Sequence, residues 1–110
     1  MSGQAVIEAA DLPGDALSSA AAFHATCVVR AEEALANHDA VLFILPDADY
    51  EHTDWRRGAV RTLARRHAPK RVNMIGASDP AAIDAMTSYL ARARAITGQY
   101  LPAHREGVRL

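Results

Sequence analysis

Apolar and polar positions follow two rhythms along this chain, short continuous apolar runs and longer stretches at helical spacing, and their alternation predicts the order βαβαβαβ. Gln4 to Ala9 is a short apolar run closed by the turn cluster Asp11-Leu12-Pro13-Gly14, the pattern of a strand and its exit turn. Asp15 then offers an N-cap. From it, Leu17, Ala20, Ala21, His24, Cys27, Val28, Ala31 and Leu35 recur at i, i+3, i+4, i+7, so a helix with that stripe inward is expected to about Asn37. Phe23, Ala25 and Val29 lie off the stripe, which makes the middle of this helix apolar nearly all round, the pattern of a helix covered on more than one side. Ala40-Val41-Leu42-Phe43-Ile44-Leu45 is continuously apolar and stops at Pro46, the signature of a central strand buried on both faces.

The second half repeats the alternation. Asp47 to Thr53 reads as an acidic loop, and Asp54 can cap a helix from Trp55 to about Ala68 that ends at Pro69. On it Trp55, Ala59, Val60 and Leu63 share one face, while Arg57, Arg61 and Arg65 step by four along the other. Arg71 to Ile75 is a third strand. Ser78-Asp79-Pro80 places a cap and then proline at the first helical position, opening a helix expected to reach about Ile96 with Ile83, Met86, Tyr89, Leu90 and Ala93 inward. Gly98 ends it, and Gln99 to Leu101 is the last strand.

This order predicts an α/β, Rossmann-like domain spanning residues 1–110, with a four-stranded parallel sheet in two or three layers. Successive right-handed crossovers would put every helix on one face. A strand buried on both faces then requires either that one helix crosses over or that a second chain supplies the missing layer, and a homo-oligomer, a dimer first, is the expectation. The charges point the same way: residues 1–54 hold ten acids and one base, Arg30, and residues 55–110 hold eleven bases and three acids, so a net charge of −1 conceals halves of opposite sign. No apolar run approaches the ~20 residues of a membrane span. The start, Met1-Ser2-Gly3-Gln4, has no basic and apolar leader, so a cytoplasmic location is expected. The single cysteine, Cys27, has no internal partner for a disulfide and reads as a small apolar residue.

Five phrases occur in register over residues 40–103: Leu63-Ala64, Ala68-Pro69, Val72-Asn73, Tyr89-Leu90-Ala91 and Ile96-Thr97-Gly98-Gln99. In that order they resemble the closing half of the short-chain dehydrogenase/reductase family. The resemblance implies a Rossmann-like scaffold, and it makes residues 15–37 the counterpart of the family's long helix that packs on a partner subunit. It also implies a glycine-rich turn for the dinucleotide and a Tyr with a Lys four residues later, the Lys lowering the tyrosine's pKa for proton exchange. The chain departs from both. Its six glycines form no such turn, and counting back from Leu63 puts Asp49 and Thr53 at the Tyr and Lys positions. The only lysine is Lys70, and Ala77-Ser78 replaces the family's Pro-Gly after the Val-Asn strand. No catalytic residue, dinucleotide or other cofactor is therefore assigned, and the chain reads as a non-catalytic scaffold or interaction protein.

Asp47, Asp49, Tyr50 and His52 lie in the loop after the central strand, where open α/β sheets tend to bind ligands, and the acidic loop 47–54 supports an alternative reading as a small-molecule or metal-binding protein or enzyme; its spacing matches no calcium loop, and no metal is assigned. Phe23, Cys27, Val29, Arg57, Arg61 and Arg65 make up the expected interface, with a second copy or with a partner such as a full-length dehydrogenase. Nucleic acid is not expected as a partner, because the overall charge is not basic and Trp55 is the only large aromatic beside the arginines. A vestigial nicotinamide-linked oxidoreductase is the remaining alternative.

Overall fold

Six consecutive buried residues, Ala40–Leu45, form the strand β2 around which the rest is laid. In the computed structural model, which describes residues 3–103, it pairs in parallel with β1 (Gln4–Glu8) on one side and β3 (Arg71–Gly76) on the other; β4 (Tyr100–Pro102) extends the sheet beyond β3. The order is β1-β2-β3-β4. Alternate residues of β2 therefore feed two different cores. Val41, Phe43 and Leu45 join Ile7, Val72, Met74 and Tyr100 under the helices α1 (Ala16–Ala22), α2 (Val28–Leu35) and α3 (Thr53–His67). Leu42 and Ile44 point the other way, with Ile75 and Leu101, and meet Ile83, Met86 and Leu90 of α4 (Pro80–Arg92). The domain is thus three-layered, and the second sheet face is covered by the chain's own α4. That corrects the expectation of helices on one face: of the two ways to cover β2, a crossing helix is the one present, so the burial of β2 gives no ground for a second chain.

The strands step in one direction across the sheet while α4 lies on the face opposite the other helices, so the β3–α4–β4 crossover has the opposite hand to the two before it. Right-handed connections are the strong default. A lattice of specific bonds holds the exception in place. Asn73, 1% exposed, donates from Nδ2 to Ile96 O at 2.9 Å and accepts from Gln99 N–H at Oδ1 at 3.1 Å. Val72 N–H donates to Thr97 Oγ1 at 2.9 Å, and Gly98 N–H to Val72 O at 2.8 Å, with Gly98 at φ 75° where glycine is favoured. Arg71 Nη1 donates to Leu90 O at 2.9 Å and Ala93 O at 3.3 Å, adding a side-chain donor to the carbonyls at the end of α4. Hence α4 stops at Arg92 instead of continuing to Ile96, and Tyr89, expected inward, is 55% exposed.

The long first helix also departs from the expected stripe. Its buried positions are Ser19, Phe23, Cys27, Ala31 and Leu35, spaced by four throughout, while Leu17 is 83% exposed and His24 is exposed. A spacing of four drifts by about 40° per step around an ideal α-helix. The π turn Phe23–Cys27 between α1 and α2 absorbs the surplus by widening the helix at its centre, which brings Phe23 onto the buried line. There its ring packs 4.8 Å from Phe43 and 5.4 Å from Trp55, centroid to centroid.

Candidate functional site

Pro46 ends β2, and the chain after it rises over the C-terminal edge of the sheet to a 3-10 turn, Tyr50–His52, that leads directly into α3. Across from it the exit of β1 turns through Leu12, Pro13 and Gly14 into α1. Between the two lies a cleft of about 270 Å3 lined by these loops together with Ser19 of α1 and Arg56 of α3.

Of the four residues expected to form a ligand loop, Asp47, Asp49 and His52 line this cleft, and Tyr50, 90% exposed, stands outside it. Asp47 N–H donates to Ser78 Oγ at 3.0 Å, tying the loop to the end of β3. His52 is buried and bound on both ring nitrogens. Trp55 Nε1–H donates to Nδ1 at 3.0 Å, so the network assigns the proton to Nε2, which donates to Gly14 O at 2.9 Å. This one ring therefore fastens the β1–α1 turn to the start of α3. Asp15, at the N-cap of α1, accepts from Ser18 N–H at 2.9 Å, and that backbone bond holds its carboxyl below the ordinary value.

The interior of the cleft depends on a buried arginine of α3. Arg56 is 2% exposed; its Nη1 donates to Pro46 O at 2.9 Å and to Tyr100 Oη at 3.1 Å. The guanidinium carbon sits 5.7 Å from the Trp55 ring centroid and 5.8 Å from that of Tyr100. Gly76 makes room for this cluster, since a Cβ there would lie 2.6 Å from Tyr100 Oη. Helical spacing could have revealed the placement: Arg56 stands four before Val60 and seven before Leu63, on the inward face. Ser19 was equally legible as four before Phe23, but only to a reader who knew the period.

The residues expected at an interface divide. Phe23 and Cys27 are interior, packed within their own chain, and so are unavailable to a partner. Val29 is half exposed, and Arg57, Arg61 and Arg65 are exposed. At the seam between the helices, Glu32 Oε2 of α2 lies 3.2 Å from both Arg66 Nη1 and His67 Nε2 of α3. Among the described residues no group of three or more His, Cys, Asp or Glu is placed to hold a metal ion, and no helix is long and apolar enough to cross a membrane.

One family model matches, described as SDR-like, short chain dehydrogenase-like protein, over residues 7–103. No curated protein and no solved structure matches.

Proposed function

The chain belongs to the SDR-like family of short chain dehydrogenase-like proteins, and from that premise we propose that it serves as a non-catalytic scaffold that associates with a second copy of itself through the outer faces of α1, α2 and α3. The observation that carries the reading is a row of arginines lying beside a pair of glutamates on one sheet face. The exposed arginines of α3, Arg57, Arg61 and Arg65, run beside an α2 that presents Glu32 and Glu33 outward. Glu32 already pairs with Arg66 and His67 inside the chain, an α2–α3 contact of opposite charges that supports the reading. A two-fold arrangement sets the α2 of one copy against the α3 of the next, with Val29 and Leu17 as exposed apolar contacts between them.

Loss of the family's chemistry supports the same reading. Asp49 and Thr53 stand where the resemblance implies the tyrosine and lysine; the first is exposed in the loop and the second begins α3. Neither can relay a proton as that pair does. Light scattering at micromolar concentration is expected to give a dimer, and a monomer would sink the proposal. Titration with reduced nicotinamide cofactor, followed by its fluorescence, is expected to show no saturable signal; a saturable one would favour a retained oxidoreductase. Docking onto a full-length dehydrogenase through the same helices is the second reading, favoured by the same stripes, and pull-down with mass spectrometry distinguishes it.

A further inference from the structure

Four polar side chains are buried among the described residues, and three of them, Ser19, His52 and Arg56, line the cleft at the C-terminal end of β2. Their hydrogen bonding is unequal. His52 is engaged on both nitrogens. Arg56 is engaged only through Nη1, and its Nε is buried with no acceptor. Ser19, 1% exposed, lines the cleft beside them. A buried donor on a charged group is normally matched by an acceptor. Nε and Nη2 together form the side-on fork of a guanidinium, the pair of parallel donors that fits the two oxygens of a carboxylate. With Nη1 occupied inside the protein, that fork is what Arg56 has left to offer.

We propose that the cleft binds a small organic monocarboxylate. Its oxygens take the Nε and Nη2 donors of Arg56, the Ser19 hydroxyl adds a third donor, and a short apolar body rests against Leu12, Pro13 and Pro46. Two features set the class. About 270 Å3 admits only a small molecule. Asp49 also lines the cleft, and its charge opposes a dianion such as phosphate more strongly than a single carboxylate. The site is independent of self-association, because it opens at the strand ends and not on the outer helix faces, so either proposal can fail alone.

The test is a 1H–15N NMR titration of the full chain with propionate, propionamide and inorganic phosphate at constant ionic strength. Propionate is expected to give saturable shifts around Gly14, Asp49 and Arg56 with a dissociation constant on the order of millimolar. Propionamide, the uncharged isostere, and phosphate should bind at least about tenfold more weakly. Arg56→Lys keeps the charge, removes the fork and should weaken propionate about tenfold or more. Should that variant fail to fold, Asp49→Asn decides, since removing an exposed carboxylate at the rim should tighten propionate roughly two- to fivefold. Propionamide or phosphate binding as tightly as propionate, or an Asp49→Asn variant with unchanged or weaker affinity, would overturn the proposal.

Discussion

Arg56 and Tyr100 show how a single buried contact constrains a neighbour with no side chain at all. The Tyr100 hydroxyl, held by Arg56 Nη1 at 3.1 Å, occupies the space a Cβ on Gly76 would need. Gly76→Ala must displace that hydroxyl or the guanidinium, and since both are buried we expect a loss of about 1–3 kcal/mol in urea unfolding. Tyr100→Phe removes the acceptor but leaves Nη1 its bond to Pro46 O, so its cost should be about 1 kcal/mol. In the double variant the 2.6 Å encounter is gone, leaving 3.3 Å to the ring and 3.1 Å to Arg56, and the alanine should cost less than in the parent. Strictly additive losses would contradict this account. Asp15 supplies a pH-dependent counterpart. Its carboxyl is held below 3.8 by Ser18 N–H, so its contribution is fully present above the unfolded value and is lost as the pH falls through the lower folded one. Asp15→Asn retains an N-cap without the ionisation. The wild type should therefore lose more stability than the variant between about pH 7 and about pH 3, compared by urea midpoints, and parallel losses would assign the acid sensitivity to other groups.

The first helix illustrates where sequence pattern succeeds and where it fails. Its start was legible because Asp15 is a strong cap, as Asp79 and Pro80 are for α4, and the strands β2 and β3 were legible because burial on both faces leaves no polar position to misread. The inward stripe was misread. An alanine-rich helix gives little contrast between faces, and nothing in Phe23–Cys27 announces a π turn, so the 3.6 period selected Leu17 and His24 where the structure buries Ser19 and Phe23. The two registers make opposite predictions. Phe23→Ala should cost about 3–5 kcal/mol, since its ring fills the space between Phe43 and Trp55. Leu17→Ala should fall within about 0.5 kcal/mol of wild type. Thermal unfolding of the pair checks the register, and a large loss at Leu17 would restore the 3.6 stripe. The side of the sheet taken by α4 was likewise hidden, because helical spacing identifies an apolar face without saying which layer it meets. The phrases Val72-Asn73 and Ile96-Thr97-Gly98-Gln99 turn out to bond to each other, so in this chain they form the lattice that brings α4 and β4 back onto the sheet.

Across the whole molecule only a small part of the charge asymmetry falls on the helices that share one face of the sheet: Glu32 and Glu33 of α2, beside Arg30, stand next to the arginines of α3. A dimer formed through that face has a definite electrostatic signature. Between 0.1 M and 1 M salt the Debye length falls from about 10 Å to about 3 Å, so association driven by the stripes should weaken across that interval, whereas one driven by apolar area alone should not. Charge reversal gives a sharper test. Both Glu33 on α2 and Arg61 on α3 are exposed. In a two-fold dimer that sets α2 against α3 of the partner, Arg61→Glu places like charges at both equivalent contacts, and so does Glu33→Arg; each variant alone should therefore dissociate more readily than the parent. Mixed in equal amounts, the two variants present glutamate to arginine at one contact and arginine to glutamate at the other. Sedimentation equilibrium should then recover the dimer in the mixture but in neither component. Dimers equally stable in all three samples would show that the stripes are solvated and that association, if present, uses another face.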